Sequence, residues 1–393
     1  MQPYNEIEIY PLDSSIKGAD FLIQYKDKYY EVSQSMVYLI KELKEKKTID
    51  EAIDSFIQKN DKYTFEYVYS VIEHYITPIF KEKNNVPTFL WEKELLTKNI
   101  VDQFSDKFYF LLKWQYIFCT FLFTFFLNSY FIFSTKELFT FKNSVNAYII
   151  MCLILFSITS SFFHELGHAS ACKYFGIKHG GIGIGLYLNF PVLYTDVTNI
   201  WQLSRKHRFI VNIAGVYFQS ILLLCLLIFY IFTNWDIIRY LILTLNLNFL
   251  ITLNPFFKFD GYWIISDILG IPNLRQRSKE FFSYIIKSHK PSRKPYLLNI
   301  NAAERYGFLI YSIIVNLFMG VYIFYIIPKF LYNLLISFPN EIQELILYTS
   351  NKISPSFALL RNITMQLLLL IFIIIFLVKI VQNVNKYVRK RKK

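Results

Sequence analysis

The sequence predicts an all-α polytopic membrane protein with six transmembrane helices, preceded by a small α+β domain on the cytoplasmic side. Three observations support this fold class. Hydrophobic residues make up 54% of the 393 residues, a proportion that would give a soluble domain a sticky surface. The apolar residues cluster in runs that are long enough to cross a bilayer. Charge, finally, is divided unevenly between the first 107 residues and the rest of the chain.

Six apolar runs lie near the length of about 20 residues that a helix needs to cross roughly 30 Å of hydrocarbon. They are Phe110–Ser134, Val145–Cys172, Phe209–Phe232, Ile237–Phe257, Phe308–Ile327 and Met365–Val381. A further stretch, Phe330–Leu347, contains Pro339, Glu341 and Glu344, which indicates an amphipathic segment on the membrane surface. Residues 331–393 are therefore assigned to this segment, the last span and a basic tail.

Basic residues beside the spans predict the orientation of the chain. The second and fourth connections and the tail Arg389–Lys393 are rich in Lys and Arg, whereas the opposite connections are short or poorer in charge. Because cytoplasmic loops carry an excess of basic residues, both termini are predicted to lie in the cytoplasm of a multi-pass cell-membrane protein. The N-terminus lacks a basic region followed by an apolar stretch, so no cleavable signal peptide is expected.

The charge distribution separates an acidic head from a basic membrane body. Residues 1–107 carry 14 Lys/Arg and 19 Asp/Glu, a net charge of −5, while the other residues carry 28 and 10, a net charge of +18. No nucleic acid is expected as a partner, because the basic residues flank apolar spans and form no face of their own. The four cysteines have no CxxC spacing, which predicts neither a disulfide framework nor a thiolate metal site.

Local patterns in residues 1–85 predict a β-hairpin followed by three helices. Alternating residues in Phe21–Tyr25 and Tyr29–Val32 flank a polar turn, which is typical of a hairpin. Thr48 and Glu51 form a capping-box signature at the start of the second helix. The predicted helices are Ser35–Lys46, Ile49–Gln58 and Phe65–Phe80.

The motif His164-Glu165-Leu166-Gly167-His168 closes the second apolar run. Residues four apart share one face of a helix, so the two imidazoles can converge on one metal ion while Glu165 lies beside them. Ionisable groups at membrane depth cost roughly 2.5–3.5 kcal/mol each and are retained mainly where they serve a site. The motif therefore predicts a zinc hydrolase site, the alternative being a structural pair of histidines.

Two histidines leave a zinc site short of its third protein ligand. Of the ten acidic residues after residue 107, four lie on the outer side and three in cytoplasmic connections. Besides Glu165, only Asp260 and Asp267 remain close to the end of an apolar run. Asp260 follows the fourth run at the depth of the histidines and is the predicted third ligand. Asp196 and Asp267 are expected to be cap or loop residues, and Pro255 is expected to break or kink the helix before Asp260.

These two motifs together resemble the site-2 protease (M50) family of intramembrane zinc metalloproteases. That family has His-Glu-Leu-Gly-His on one transmembrane helix and Asn-Pro-x-x-x-(Leu/Phe)-Asp-Gly two spans later, as in Asn254–Gly261. Further segments resemble its peptide zinc metalloprotease branch, which occurs in bacterial peptide-maturation clusters, and the likeness covers roughly residues 108–330. They are Cys172–Gly176, Tyr194, Asp196, Trp201, Arg205, Ala214–Gly215, Asp260–Trp263 and Pro272–Leu274.

The resemblance implies a zinc site with named roles. His164, His168 and Asp260 would bind Zn²⁺, and Glu165 would be the catalytic base of a peptide hydrolase. A ligand set of two histidines and one aspartate leaves a position for water, whose pKa zinc lowers to about 7. Asn254 is a candidate for holding the unwound backbone of a substrate. The alternative for Asn254 and Pro255 is a simple helix break.

Residues 1–85, called the head from here on, resemble the PqqD-like, winged-helix-like domain that recognises leader peptides in modified-peptide biosynthesis. Under this resemblance, residues 1–85 would bind a precursor peptide whose leader adds as a strand beside the hairpin. Residues 86–107 would be a linker along the membrane surface. The expected partners are the precursor peptide, the lipid bilayer, a peptide-modifying enzyme and an ABC-type exporter.

Three classes of function remain open at this stage. The first is a membrane-embedded zinc endopeptidase that cuts a ribosomally made peptide during its maturation or export. The second is regulated intramembrane proteolysis of a membrane-anchored signalling or anti-sigma protein. The third is a non-catalytic transporter or immunity protein on the same fold. Bound zinc separates the third class from the other two.

Overall fold

The protein is mostly helical over the residues that its structure, a computed structural model, describes. Those residues are 3–16, 20–26, 28–80, 89, 91–135, 138, 147–187, 190–286, 300–351, 354–356, 358–364 and a few single positions up to 378. The chain divides into two compact units, residues 1–312 and residues 313–393.

The head begins with a three-stranded antiparallel sheet. Its strands are β1 (Glu8–Pro11), β2 (Phe21–Tyr25) and β3 (Lys28–Val32), in the order β1-β2-β3. The predicted hairpin is confirmed as β2–β3, with the turn residue Lys26 at a φ of 54°. Strand β1 was not predicted, because four residues that end in a proline show too little alternation to stand out.

Helices cover one face of this sheet and complete an apolar core. They are α1 (Gln34–Glu45), α2 (Ile49–Gln58), α3 (Phe65–Val71), a π-helical turn (Ile72–Ile76) and α4 (Thr77–Phe80). Each of the first three helices begins where a side-chain hydroxyl accepts a hydrogen bond from a main-chain amide. Ser33 accepts from Met36, Thr48 from Glu51 and Thr64 from Tyr67. Such caps satisfy amides that have no partner inside the helix. The predicted bounds of α2 are confirmed, while the winged-helix resemblance stays a prediction.

The opposite face of the head sheet lies against the membrane body. The Tyr29 hydroxyl donates to Asn199 Oδ1 over 2.9 Å and accepts from Gln202 Nε2 over 2.8 Å. Asn199 and Gln202 belong to a 3₁₀ helix, Thr198–Gln202. Oε2 of Glu31 lies 3.7 Å from Nη2 of Arg277, which belongs to helix α11 (Leu274–Ile286). The head is therefore docked to the membrane body through polar side chains of β3.

Residues predicted as a membrane-surface linker contribute a strand and a helix to the membrane body. Strand β4 (Glu92–Leu96) pairs antiparallel with β5 (Ile182–Tyr187), and β5 pairs antiparallel with β6 (Phe190–Thr195). Helix α5 (Lys98–Phe108) follows β4, and its Val101 is fully buried beside Ala169 and Ile182. The sequence alone does not indicate β4, because its pairing partner lies about 90 residues further along the chain.

Four helical runs of the described chain are long and apolar enough to cross a membrane. They are Trp114–Ser134, Tyr148–Tyr174, Arg205–Thr233 and Ala302–Ser350. Their apolar side chains are largely exposed, as with Phe133 at 89%, a surface that lipid can cover. The helices concerned are α6 (Trp114–Ser134), α7 (Ala147–Tyr174), α8 (Arg205–Thr233), α12 (Ala302–Val321), a π-helical turn (Tyr322–Ile326) and α13 (Ile327–Ser350).

The fourth predicted span is shorter than expected. It forms helix α9 (Asp236–Thr252), whose 17 residues extend about 25 Å, against roughly 30 Å of hydrocarbon. The helix ends three residues before Pro255, which confirms the predicted break, because proline lacks an amide donor and disfavours helix in the residue before it. The sixth predicted span, Met365–Val381, and the basic tail fall mostly outside the described residues. Six spans and their orientation therefore stay predictions.

Two short helices follow the break and carry residues near the candidate site. They are α10 (Asp260–Leu269) and α11 (Leu274–Ile286).

Within residues 313–393, the stretch predicted to be amphipathic is part of α13, which contains Pro339. Its Glu341 accepts a 3.4 Å hydrogen bond from Asn362, and Ser337 accepts one of 2.9 Å from Gln366.

Candidate metal centre

The two histidines of the sequence motif face each other near the end of α7. Nε2 of His164 and Nε2 of His168 are 3.1 Å apart, and the side chains are only 11% and 9% exposed. Helical spacing explains the arrangement, because residues four apart are neighbours on one face. Two imidazole nitrogens at this distance require a proton or a cation between them.

Hydrogen bonds to the other ring nitrogens determine which nitrogens point inward. His168 Nδ1 lies 2.8 Å from the carbonyl oxygen of Val211, and His164 Nδ1 lies 3.2 Å from Oε1 of Gln219. A carbonyl oxygen only accepts, so Nδ1 of His168 carries its proton and Nε2 keeps a free lone pair. The same tautomer of His164 follows if Gln219 accepts. Histidines that bind metals are oriented in this way.

Asp260, the first residue of α10, completes a cluster of three. Its Oδ2 lies 3.0 Å from Nε2 of His164 and 3.3 Å from Nε2 of His168. This oxygen is buried and finds no hydrogen-bond donor of acceptable geometry among the described residues. Within the described chain, these three residues form the group of histidine and acidic side chains that could hold a metal ion. The structure thus brings together the three residues predicted as ligands.

The spacing of the three atoms fits a zinc ion. Zinc binds nitrogen and oxygen at about 2.0–2.2 Å in tetrahedral sites, so neighbouring ligand atoms lie about 3.3 Å apart. The three separations in the cluster are 3.0, 3.1 and 3.3 Å. A buried carboxylate oxygen without a donor and two inward lone pairs also match what a divalent cation requires.

Glu165 lies in the same helical turn as the two histidines. The residue is buried, at 8% exposure. Its main-chain carbonyl accepts a 3.3 Å hydrogen bond from the Thr195 hydroxyl at the end of β6. The sheet thereby contacts α7 at the position of the predicted catalytic base.

Helix α8 supplies the environment of the cluster, which the sequence interpretation largely missed. Gln219 orients His164 and is held in turn by Ser160, whose hydroxyl accepts from Gln219 Nε2 over 2.9 Å. Gly215 lies where a β-carbon would come within 2.6 Å of Nε2 of both histidines. A signal was present, since polar or small residues recur at intervals of four, three and four in this apolar helix. They are Arg208, Asn212, Gly215 and Gln219.

Asp267, expected in a cap or loop, instead forms a buried ion pair. It lies inside α10, where Oδ1 accepts from Arg208 Nε over 2.6 Å and Oδ2 accepts from Asn212 Nδ2 over 2.7 Å. Burial raises the pKa of Asp267, and the Arg208 guanidinium opposes that rise. The expectation of a loop residue was wrong, because the partner Arg208 lies 59 residues away and leaves no local trace. Asp196 is a loop residue, as expected, and its Oδ1 accepts from the amide of Thr198 over 2.9 Å.

Asn254 lies in the non-helical segment between α9 and α10. Its Oδ1 accepts from the amide of Phe256 over 2.8 Å, a local turn of the kind that asparagine often forms. The carbonyl of Pro255 next to it accepts from the Tyr311 hydroxyl over 3.2 Å. The structure therefore supports the helix-break role of Asn254, and its contact with a substrate stays a prediction.

No family model and no solved structure matches this chain. Among curated proteins it is similar to "Putative peptide zinc metalloprotease protein YydH" of Bacillus subtilis (strain 168), with 26% identity over 121 residues. The matched region covers 30% of this chain and 48% of that protein. The chain thus spans about half the length of the curated relative that it matches.

Proposed function

We propose that this protein is a membrane-embedded zinc endopeptidase that hydrolyses a peptide bond in a ribosomally made peptide during its maturation or export. The observation that carries the proposal is the convergence of His164, His168 and Asp260 within 3.3 Å, next to Glu165. The name of the similar protein supports a metalloprotease role in general. Four apolar helices support a location in a membrane.

In this proposal, the residues of the site divide the work of hydrolysis. His164, His168 and Asp260 would hold the zinc ion, which when bound would supply Lewis acidity toward a peptide carbonyl and a water molecule. Glu165 accepts a proton from the attacking water and delivers it to the leaving amine as the C–N bond breaks. Gln219 and the Val211 carbonyl keep the imidazoles in the tautomer that directs Nε2 inward.

The head is proposed to recognise the substrate. Strand β3 ends the head sheet on one side, and a leader peptide could pair with it as a further strand. The bound leader would deliver the rest of the precursor to the membrane body, to which the head is docked through Tyr29 and Glu31. A peptide-modifying enzyme and an ABC-type exporter are the proposed further partners.

The experiment that tests the catalytic proposal compares Glu165→Gln with Glu344→Gln, an exposed site on α13. Each full-length protein is co-expressed with a short precursor peptide, the product is analysed by mass spectrometry, and zinc in the purified protein is measured. We expect Glu165→Gln to retain zinc and lose cleavage, and Glu344→Gln to retain both. Cleavage by Glu165→Gln would contradict the role of the base. Absence of zinc from the wild-type protein would favour a non-catalytic transporter or immunity protein.

A further inference from the structure

Helix α10 is short, begins at a proposed metal ligand and has no helical connection to α9. Asp260 is its first residue, and the segment from Leu253 to Phe259 before it is not helical. The position of Asp260 therefore depends on what holds the rest of α10. Its other end, about two and a half turns away, contacts a segment of the head.

That segment, residues 12–16, is here called the strap. The amide of Ser15 donates to the carbonyl of Gly270 over 2.9 Å, and its hydroxyl donates to the carbonyl of Leu269 over 2.8 Å. The last carbonyls of a helix have no partner within it. In α10 the amide of Gly270 donates to the carbonyl of Asp267, and the amide of Ile271 donates to the carbonyl of Ser266. The strap therefore satisfies the carbonyl of Leu269, the last residue of α10, and the carbonyl of Gly270, which follows the helix.

The strap is also bound to the first turn of α8. Both carboxylate oxygens of Asp13 accept from Arg205, from its amide over 2.9 Å and from Nε over 3.1 Å. The preceding residue, Ser204, makes no side-chain cap. Asp13 thus supplies the acceptor and the negative charge that favour a helix N-terminus. The carbonyl of Asp13 accepts in addition from Arg208 Nη2 over 3.0 Å.

Arg208 connects the strap to the interior of α10. Its Nε donates to Asp267, which lies seven residues after Asp260 and so on the same face of the helix. Arg208 is 2% exposed and Asp267 is 6% exposed. The ion pair is fully hydrogen-bonded, because Asn212 donates to the second oxygen of Asp267. One arginine therefore joins the head to the helix that carries Asp260.

Close approach of the strap requires a glycine at the end of α10. Gly270 has a φ of 63°, and a β-carbon there would lie 2.5 Å from Oγ of Ser15 and 2.4 Å from Nη1 of Arg205. The left-handed conformation ends the helix, and the missing side chain leaves space for the strap.

We propose that the strap is a positioning element of the metal centre, with Asp13 and Ser15 as positioning residues that act on Asp260 through α10. The inference rests on the proposed zinc site. Asp260 and Asp267 are separated by about 10 Å along the helix, so a tilt of about 5° at one end displaces the other by roughly 0.9 Å. Ligand distances in a zinc site tolerate about 0.2 Å. Loss of the strap contacts therefore changes the metal geometry.

The test measures metal binding by the full-length protein in detergent. Zinc affinity is obtained by competition with a chromogenic chelator, and the visible spectrum of the Co²⁺-loaded protein reports coordination geometry. For Asp13→Ala with Ser15→Ala we expect about tenfold weaker zinc binding and an altered cobalt spectrum. Asp13→Asn, which keeps one acceptor oxygen, should recover most of the affinity.

The matched control is Tyr29→Phe, which removes head contacts to Asn199 and Gln202 without touching α10. It should bind zinc and cobalt as the wild type does. Unchanged affinity and spectrum in the double variant would overturn the inference. If the double variant does not fold, the same two measurements on Ser15→Ala alone test the inference. A wild-type protein that binds no zinc would instead refute the proposed function.

Discussion

The α-carbon of Gly215 faces Nε2 of His168, and a β-carbon added to it would lie 2.6 Å from that nitrogen. The same β-carbon would lie 2.5 Å from Cε1 of His164. Both distances are shorter than any van der Waals contact. The place where the metal ligands converge is therefore open only because α8 has no side chain at this position.

Gly215→Ala should remove most zinc binding. The new methyl group must displace the imidazoles, and overpacking of this kind costs about 1–3 kcal/mol even when neighbours adjust. We expect zinc affinity, measured by chelator competition, to fall by at least about tenfold. The control is Gly320→Ala on α12, where a β-carbon meets nothing within 4 Å. Wild-type affinity in Gly215→Ala would show that the histidines do not converge as described.

Gln219→Leu should weaken zinc binding while preserving the volume of the side chain. Without an acceptor at Nδ1, His164 loses the contact that selects its tautomer, and changes of this kind typically cost 10–100-fold in metal affinity. Ser160→Ala should have a smaller effect, because it removes only the partner of Gln219. A larger loss in Ser160→Ala than in Gln219→Leu would contradict this order. The measurement is again chelator competition.

Removal of zinc should destabilise the protein reversibly. A ligand present at 100 times its dissociation constant stabilises the state that binds it by about 2.7 kcal/mol. We expect the melting temperature of chelator-treated protein to rise when zinc is added, and Asp260→Ala to abolish that rise. Asp54→Ala, at an exposed site on α2, should keep it. A zinc-induced shift that persists in Asp260→Ala would place the metal elsewhere.

Acid should loosen the head through Glu42. Hydrogen bonds from Lys59 and Ser55 hold the pKa of this carboxyl below its ordinary value. The stabilisation is therefore present above the unfolded-state pKa of about 4.3 and is lost as the pH falls through the lower folded-state value. We expect protease protection of α1 and α2 to decline at low pH in the wild type, and less so in Glu42→Gln. Equal pH dependence would exclude Glu42 as the cause.

The candidate ligands were predictable because ionisable residues are rare inside apolar runs and at their ends. His164 and His168 are recognisable because they are four residues apart on a predicted helix. Besides Glu165, Asp260 is one of two acidic residues that remain beside a span once the others are assigned to the outer or the cytoplasmic side. The start of α2 was predictable for a related reason, since Thr48 caps amides only three residues away. In each case the information is local or depends on residue type alone.

Contacts between distant segments were not predictable in the same way. Strand β4 exists because β5 offers it a partner, and Asp267 was misassigned because Arg208 lies on another helix. The strap contacts α10 across more than 250 residues of sequence. Such contacts depend on which faces of the helices meet, and local propensity carries no information about that.

The sequence by itself determined that this chain is rich in membrane-length helices and holds two histidines and an aspartate fit to bind a metal. These properties follow from apolar length, helical periodicity and the cost of ionisable groups in an apolar environment. Only the tertiary structure decided that Gly215 leaves room for the cluster, that Gln219 orients His164 and that the strap holds α10. The physical reason is that a metal site is sensitive to tenths of an ångström, and only packing between helices determines distances on that scale.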